Sequence, residues 1–309
     1  MITCNSYFSG GGVFDAGLIA GGLTIKQSYE LDKYAARVQR NNLGDHVNEC
    51  DLRTKLVADD RADVMAFTYP CTKYSSIADI SGTRTGDDLY LHAFRHMAIA
   101  SPDIFIVENV MGMKKFPLVM EAMTKLPDYF IKSFCPLQAS DLLPQSRKRI
   151  ILIGSKKPFN WQSPTTSKKV TLADIVESDP RVTYPTAVTK RMTGNYRDRP
   201  IISDPSRGDI APTAVAHYAK DRSTRLLTDK RFPNGVRPYS VREYARLQGL
   251  PDSFSFDSVS DNEAYKIIGN GVPWTWGKWL GAEIKRYFRS QCNQSNKLTY
   301  LQHRLANAR

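Results

Sequence analysis

The sequence predicts an α/β fold, in which a parallel sheet with helical crossovers carries a smaller irregular part. From the N-terminus to about Ser155, short apolar runs alternate with amphipathic stretches, which is the pattern of such a sheet. From about Lys156 to Pro238, prolines and basic residues interleave with short β-like pieces. The length of 309 residues, 41% of them hydrophobic, is enough for one large core and an appended unit.

The elements follow from their apolar spacing. Strands are predicted at Ile2–Phe8, Thr24–Glu30, Asp63–Thr68, Asp103–Glu108 and Arg149–Gly154. Helices are predicted at Lys33–Asn42, Leu89–Ala100, Pro117–Leu126, Ser240–Gln248 and Trp274–Arg289. The segment Ser75–Asp88 has small polar residues without clear periodicity, so we predict a mobile loop there.

The formal net charge of +12 is consistent with a polyanionic partner. It arises from 43 Lys and Arg residues against 31 acidic residues, and a cationic face releases counterions when it neutralises phosphates. A solvated basic surface with no such partner has the same composition. The charge alone leaves both interpretations open.

The five cysteines are odd in number and widely separated, which argues against zinc knuckles and disulfide frameworks. We therefore expect no metal site. The N-terminus lacks the features of a signal peptide, and no apolar run approaches the roughly 18 residues of a membrane span. We expect a protein of a reducing, cytoplasmic compartment with no membrane partner.

The first strand ends in a glycine-rich turn, Phe8-Ser9-Gly10-Gly11-Gly12-Val13. Such a turn lets a ligand approach the backbone closely, although a tight turn without a ligand has the same composition. The spacing Gly-x-Gly-x-x-Gly is absent, which argues against a classical NAD site.

Acidic residues follow the next two apolar pieces. Glu30 ends the second strand, where a carboxylate can accept hydrogen bonds from both hydroxyls of a ribose. Asp51 follows the third piece and could accept one from an adenine amine. Each could be an ordinary surface acid, but with the glycine turn they indicate a cofactor that carries a nucleoside.

Reactive side chains occur at two further strand ends. Cys71 follows the strand Asp63–Thr68, and a thiolate there could be a nucleophile. Glu108 ends the next strand, and an apolar setting can hold a carboxyl protonated as an acid. The ordinary alternatives are a buried cysteine and a glutamate favoured by a helix N-terminus.

Gln145, Arg147 and Arg149 alternate at the start of the last strand, so their side chains are expected on one face. Two guanidiniums that point the same way suit recognition of an anion or a base. A basic edge strand would alternate in the same way.

Taken in order, these motifs resemble those of the DNA cytosine-5 methyltransferase family. The resemblance includes Glu30-Leu31-Asp32-Lys33-Tyr34-Ala35, Pro70-Cys71, Glu108-Asn109-Val110, Gln145-x-Arg147-x-Arg149, the stretch Arg242 to Asp252, and Gly269-Asn270-Gly271-Val272-Pro273. It implies a Rossmann-like S-adenosylmethionine-dependent methyltransferase fold with a small irregular target-recognition domain. The predicted regions are 1–155 and 237–290 for the catalytic domain, 156–236 for target recognition, and 291–309 for a polar, basic tail.

The resemblance also implies roles for individual residues. Cys71 would attack C6 of cytosine, Glu108 would contact N3 and the exocyclic amine, and Arg149 with Arg147 beside it would face O2. S-adenosylmethionine, leaving as S-adenosylhomocysteine, would contact Phe8, Ser9, Gly10, Gly12, Val13, Glu30, Leu31, Asp51, Leu52, Pro70, Leu89, Asn270, Gly271 and Val272. The partner would be double-stranded DNA, bound by a monomer that flips the target base out.

Two departures from the family lie near these residues. Val13 stands where the family has a glycine, and Thr72-Lys73 follows the nucleophile where the family has glutamine and a small or varied residue. We interpret Lys73 as a contact to a target phosphate. Further DNA contacts are predicted for Ser75, Arg84 and Gln145.

Three alternatives remain open at this stage. An RNA methyltransferase of the same fold uses the same cysteine, glutamate and arginine set on transfer RNA. A catalytically silent DNA-binding homologue would keep the fold without the chemistry. A third possibility is that the transferred group is a modified methyl group.

Overall fold

The computed structural model describes residues 1–57, 61–70 and 89–306, with the backbone alone from residue 294 onward. Seven strands form the central sheet, in the order β3-β2-β1-β4-β5-β8-β6. Their bounds are β1 Thr3–Tyr7, β2 Thr24–Glu30, β3 Val47–Glu49, β4 Val64–Phe67, β5 Ile104–Val110, β6 Phe130–Gln138 and β8 Lys148–Ser155, with the two-residue β7 at Gln145–Ser146 outside the sheet.

The direction of the strands brings several strand ends to one edge. Five neighbouring strands of the sheet, β3, β2, β1, β4 and β5, run parallel to one another. The carboxyl ends of β1, β2, β4 and β5 therefore lie together. β8 runs antiparallel to β5 and pairs Arg149 with Val110. The start of β8 therefore lies beside the end of β5, at the same edge. The expectation of parallel strands is wrong for β8, which pairs antiparallel to β6 as well.

Helices cover both faces of the sheet. Val64 and Ala66 of β4 belong to one apolar cluster, and Met65 and Phe67 belong to another, as the alternation along a strand requires. The helices of the first half are α1 Val13–Ala20, α2 Lys33–Leu43, α3 Leu89–Ala100 and α4 Pro117–Thr124. The sheet core is therefore closed on both sides, which is typical of an α/β layer fold.

The long C-terminal helix, α9 (Trp274–Ala306), crosses α1 at very short range. Glycines meet at the crossing: a Cβ on Gly277 would lie 2.5 Å from the carbonyl oxygen of Phe14, and a Cβ on Gly281 would lie 2.7 Å from that of Leu18. Only glycine permits this approach of the two backbones. The end of the chain thus packs directly on its beginning.

The insert is built from short pieces. β9 Ile201–Ser203, β11 Arg225–Thr228 and β12 Val236–Arg237 form a three-stranded sheet, while β10 Ala211–Pro212 pairs with β7. The helices are α5 Leu172–Ile175 and α6 Thr186–Thr193, followed by α7 Val241–Leu247 and α8 Asp261–Asn270. Leu172, Ala214 and Tyr218 of the insert pack in one apolar cluster with Tyr244 and Ile268. The insert therefore shares a core with the segment that follows it.

Every predicted strand is confirmed within two residues at each end, and so are four of the five predicted helices. The elements that were not predicted include α1, β3, β6 and α8, and also the insert helices α5 and α6. The helix predicted to end at Arg289 continues to Ala306, into the predicted tail. The predicted loop Ser75–Asp88 lies outside the described residues. In the described part of the chain, no helix has both the length and the apolar character needed to cross a membrane.

Candidate active site and cofactor cavity

A cavity of about 850 Å³ opens at the edge of the sheet where the strand ends meet. Glu108, Arg147 and Arg149 line it, together with every predicted cofactor residue except Gly12. The predicted cofactor residues that line the cavity are Phe8, Ser9, Gly10, Val13, Glu30, Leu31, Asp51, Leu52, Pro70, Leu89, Asn270, Gly271 and Val272. Residues from both ends of the chain thus surround one space, and their role as cofactor contacts stays a prediction.

Gly12 faces away from the cavity. It precedes α1 with a φ of 77°, and a Cβ on it would lie 2.6 Å from Cγ of Gln39. Gly11 lines the cavity instead. Phe8 also has a positive φ, of 60°, which is uncommon for a residue with a side chain and recurs at ligand sites. Gly12 is therefore required by the backbone conformation and by the nearby Gln39 side chain, whereas Gly11 borders the cavity.

The Glu30 carboxylate holds the turn in place. Its Oε2 accepts a hydrogen bond from the Gly10 N–H at 2.7 Å, and its Oε1 accepts from the N–H groups of Leu31 and Asp32 at 2.9 and 2.8 Å. Burial raises the pKa of Glu30, and these hydrogen bonds oppose the rise. A carboxylate accepts about four hydrogen bonds, so about one acceptor position is left for a ligand hydroxyl.

Asp51 is already engaged by a neighbouring cation. The Arg53 guanidinium donates to both carboxylate oxygens of Asp51, at 2.6 to 3.0 Å, and lowers the pKa of Asp51 to about 2. Arg53 also lines the cavity. An adenine amine at Asp51 would therefore share the carboxylate with Arg53, which sequence reasoning did not foresee.

Glu108 and Arg149 form an ion pair at the base of the cavity. Arg149 Nε lies 3.2 Å from Glu108 Oε1, yet this oxygen makes no hydrogen bond with any described residue. Burial raises the pKa of Glu108, while Arg149 and Arg147 oppose the rise. A buried carboxyl with hydrogen-bonding capacity to spare suits a proton donor to a substrate.

Asn109 fixes the chain that leads to the predicted nucleophile. Its Nδ2 donates to the carbonyl oxygen of Tyr69 at 3.1 Å, and its Oδ1 accepts from the Val110 N–H at 2.8 Å. Pro70, the next residue after Tyr69, lines the cavity. The predicted residues Cys71, Lys73, Ser75 and Arg84 lie outside the described residues.

Gln145 is not available to DNA, so that prediction is wrong. It is fully buried, and its Nε2 donates to the Leu247 carbonyl at 2.7 Å and to Gln248 Oε1 at 3.1 Å. Its Oε1 accepts from the Ala214 N–H at 2.8 Å. Gln145 therefore ties the insert to α7 from within the protein.

Arg147 is also buried, and its guanidinium binds backbone carbonyls. It donates to Ala214 at 2.9 Å, to Gly271 at 2.8 Å, and at longer range to Gly269. Gln248 donates to Gly271 at 3.0 Å and to Ile268 at 2.8 Å. The carbonyls of Ile268, Gly269 and Gly271 lie at the C-terminal end of α8, where helices leave acceptors unsatisfied and cations are favoured. Arg147 and Gln248 thus hold the segment 269–272 against the cavity.

Several residues that line the cavity were missed from the sequence. Among them, Lys266 of α8 makes an ion pair with Asp32 at 2.7 Å. Asp32 also caps α2 by accepting from the Tyr34 N–H. The acidic cap was visible in the sequence, but its partner comes from 234 positions further along the chain. Within the described residues, no cluster of His, Cys, Asp and Glu could hold a metal ion.

A glycine turn, acidic strand ends and a cavity at the carboxyl edge of an open α/β sheet are typical of Rossmann-like folds that bind a nucleoside-containing cofactor, the class to which S-adenosylmethionine-dependent methyltransferases belong. The family model described as C-5 cytosine-specific DNA methylase matches residues 2–286, so the chain belongs to that family.

Curated relatives carry the names of Type II methyltransferases. M.NgoPII of Neisseria gonorrhoeae is 28% identical, over 91% of this chain and 94% of that protein. M.MthTI of Methanothermobacter thermautotrophicus is 26% identical, over 91% and 96%. Both therefore match this chain over nearly their full length.

Solved structures share the fold at low identity. The methyltransferase EhMeth of Entamoeba histolytica has a TM-score of 0.75 at 15% identity, covering 93% of this chain and 99% of that one. Dnmt2 of S. pombe has a TM-score of 0.72 at 14% identity, covering 91% and 97%. At these identities, the likeness concerns the fold alone.

Proposed function

We propose that this chain transfers a methyl group from S-adenosylmethionine to C5 of a cytosine in double-stranded DNA. The observation that carries the proposal is the buried Glu108–Arg149 pair, which lies beside a cavity of nucleoside size at the edge where the chain leads to Cys71. The description of the family, C-5 cytosine-specific DNA methylase, supports DNA as the substrate.

The cavity suits the proposed cofactor. Its volume of about 850 Å³ lies in the range of small-molecule and cofactor sites. Glu30 retains an acceptor position for a ribose hydroxyl, and Asp51 offers a carboxylate to an adenine amine. Phe8, Leu52 and Val272 supply apolar wall. When bound, the cofactor supplies an electrophilic methyl group on a sulfonium.

The protein groups prepare the cytosine ring to accept that methyl group. The Cys71 thiolate forms a bond to C6, while Glu108 gives a proton to N3 and Arg149 stabilises the charge that develops at O2. C5 then becomes nucleophilic and takes the methyl group. Loss of the C5 proton to a base breaks the bond from C6 to sulfur, regenerates the thiolate and returns the N3 proton to Glu108.

The target base has to leave the duplex before this chemistry. Extruding a paired base costs a few kcal/mol, which contacts to the flanking DNA must offset. The net charge of +12 favours those contacts through the phosphates. We assign target recognition to residues 156–236, and the carbonyl contacts of Arg147 tie this region to the catalytic part.

Incubation with radiolabelled cofactor tests the proposal on two substrates, genomic DNA duplexes and transfer RNA. We expect label in the duplexes alone, and 5-methylcytosine as the product by mass spectrometry of the nucleosides. Duplexes that contain 5-fluorocytosine should trap a covalent adduct with the natural chain and none with Cys71→Ser, since the fluorine cannot leave as a proton does.

Each of the other outcomes of these assays would support a different function. Label in transfer RNA alone would replace DNA by RNA as the substrate. A heavier group on C5 in DNA from cells that express the chain, where other donors are present, would mean that a modified methyl group is transferred. The absence of any adduct or label, with DNA still bound, would identify a silent DNA-binding homologue.

A further inference from the structure

A buried carboxylate, Asp15, lies beneath the glycine turn and takes no part in the chemistry above. It belongs to the first turn of α1 and has no exposed surface. Three side chains donate hydrogen bonds to it: Ser6 Oγ at 2.6 Å, Ser28 Oγ at 2.8 Å and Gln39 Nε2 at 2.8 Å. Groups from β1, β2 and α2 therefore converge on one carboxylate.

Gln39 carries this arrangement to the glycine turn. Because its Nε2 donates to Asp15 and Ser28, its Oε1 faces the other way and accepts from Ser9 Oγ at 2.8 Å. Ser9 is itself buried and lines the cavity through the same turn as Gly10. The Ser9 hydroxyl thus points into the protein, and the orientation of the Gln39 amide determines where Ser9 is held.

We propose that Asp15 is a positioning residue of the cofactor cavity. Its ionised carboxylate orients Gln39, Gln39 holds Ser9, and the turn 8–12 keeps the shape that the cofactor requires. The inference rests on the proposed function for the identity of that cofactor. The ionised form fits the site because a protonated carboxyl would add a fourth donor to a group that already receives three.

The charge on Asp15 has a cost in stability. Burial raises the pKa of Asp15 to about 6, and the Glu30 carboxylate adds to the rise, while Ser6, Ser28 and Gln39 oppose it. Burial and the charge of Asp15 also raise the pKa of the buried Cys4 thiol of β1. Among the described residues, none of the main influences on the pKa of Asp15 is a basic group.

Fold stability and cofactor affinity should therefore respond to pH in opposite directions. The pKa of Asp15 is higher in the fold than its ordinary value of 3.8. Its contribution to stability is then fully present below about pH 4 and is lost as the pH rises through 6. Cofactor affinity should instead be greatest above pH 6, where the carboxylate is ionised. A purely structural residue would move both quantities together.

Calorimetric titration with S-adenosylhomocysteine between pH 5 and 8 tests this role, with thermal unfolding measured alongside. For the natural chain, we expect the Kd to rise about 3- to 10-fold from pH 8 to pH 5, the equivalent of one net hydrogen bond. Asp15→Asn, a neutral isostere, should bind S-adenosylhomocysteine about 3- to 10-fold more weakly than the natural chain at pH 8. Its Kd should lose most of the pH dependence.

Asp63→Asn is the matched control. Asp63 accepts hydrogen bonds from Thr3 N and Oγ1, at 2.7 and 2.8 Å, at the end of β1 that lies away from the cavity, so its replacement should leave the affinity unchanged. The role of Asp15 is refuted if Asp15→Asn binds S-adenosylhomocysteine as tightly as the natural chain at pH 8. It is also refuted if the Kd of Asp15→Asn changes with pH as steeply as that of the natural chain, which would assign the titration to Glu30. A natural chain that binds no S-adenosylhomocysteine at any pH would refute the proposed function itself.

Discussion

The two parts of this chain are held together by different forces. In residues 1–155, seven strands form one sheet with apolar clusters on both faces. In residues 156–272, no strand of the described part is longer than four residues. Buried polar contacts are prominent there: Arg237 is fully buried and binds Glu243 and Asp229. A region without long strands needs directional contacts to fix its position.

This difference has a consequence for the site. The regular part supplies Glu108 and Arg149 on adjacent strands, whose spacing the sheet determines. The irregular part supplies the wall at Asn270 and Val272, which depends on individual side chains such as Arg147 and Gln248. We therefore expect substitutions in the two parts to affect chemistry and cofactor binding unequally.

The largest effect is expected where a buried charge loses its partner. Nη1 and Nη2 of Arg237 each donate to one carboxylate oxygen of Glu243 at 2.7 Å. Glu243→Gln therefore removes the main counter-charge of the Arg237 guanidinium. The free energy of unfolding should fall by about 3 to 5 kcal/mol in urea titrations. Ile153→Val, an equally buried change in the sheet, should cost about 0.5 to 1.5 kcal/mol. Equal decreases in the free energy of unfolding for Glu243→Gln and Ile153→Val would contradict the difference between the two parts.

An intermediate effect should separate the two arginines that the sequence placed together. Arg147→Lys leaves one ammonium where a guanidinium binds several carbonyls, so the Kd for S-adenosylhomocysteine should rise and stability should fall by about 2 to 3 kcal/mol. Arg149→Lys should change stability by less than about 1 kcal/mol but slow methyl transfer about 100-fold or more.

Calorimetry, urea unfolding and single-turnover methyl transfer on both variants give the comparison. If Arg147→Lys keeps its affinity and loses only the rate, then Arg147 acts directly on the cytosine, as the family resemblance implies.

The smallest effect concerns the ion pair that joins the two parts at the cavity rim. Lys266 and Asp32 are partly exposed, so their coupling should be only about 0.3 to 1 kcal/mol and should decrease with salt. A double-mutant cycle with Lys266→Met and Asp32→Asn measures it by unfolding, because Asn preserves the cap of α2. Lys125→Met, in the exposed pair with Glu121, is the control. Additive effects would mean that the two residues act independently.

Much of the fold and of the site could be predicted because both depend on local order. The strand bounds follow from apolar runs, and Glu30, Asp51 and Glu108 were identified because they stand directly at the ends of such runs. The sheet then brings those ends together by its own geometry. No information from distant parts of the chain was needed.

The remaining features depend on which segments return to the site. Alternation placed Gln145 and Arg147 beside Arg149, but their partners at Ala214 and Gly271 arrive from about 70 and 120 residues away. Asp15 has the sequence context of a solvent-facing acid in the first turn of a helix. Its burial depends on hydrogen bonds from Ser6, Ser28 and Gln39, which belong to three other elements.

The glycine crossing of α1 and α9 bears on when the protein becomes competent during its synthesis. Leu18 of α1 packs in the same cluster as Trp276 and Leu280 of α9, so that apolar surface stays uncovered until the ribosome has made almost the whole matched region. Such a surface invites aggregation or chaperone binding while the chain is still growing. A truncated product that stops before α9 would lack both this cover and the support for the cavity wall at 270–272. Incomplete chains are therefore expected to lack a complete cofactor cavity.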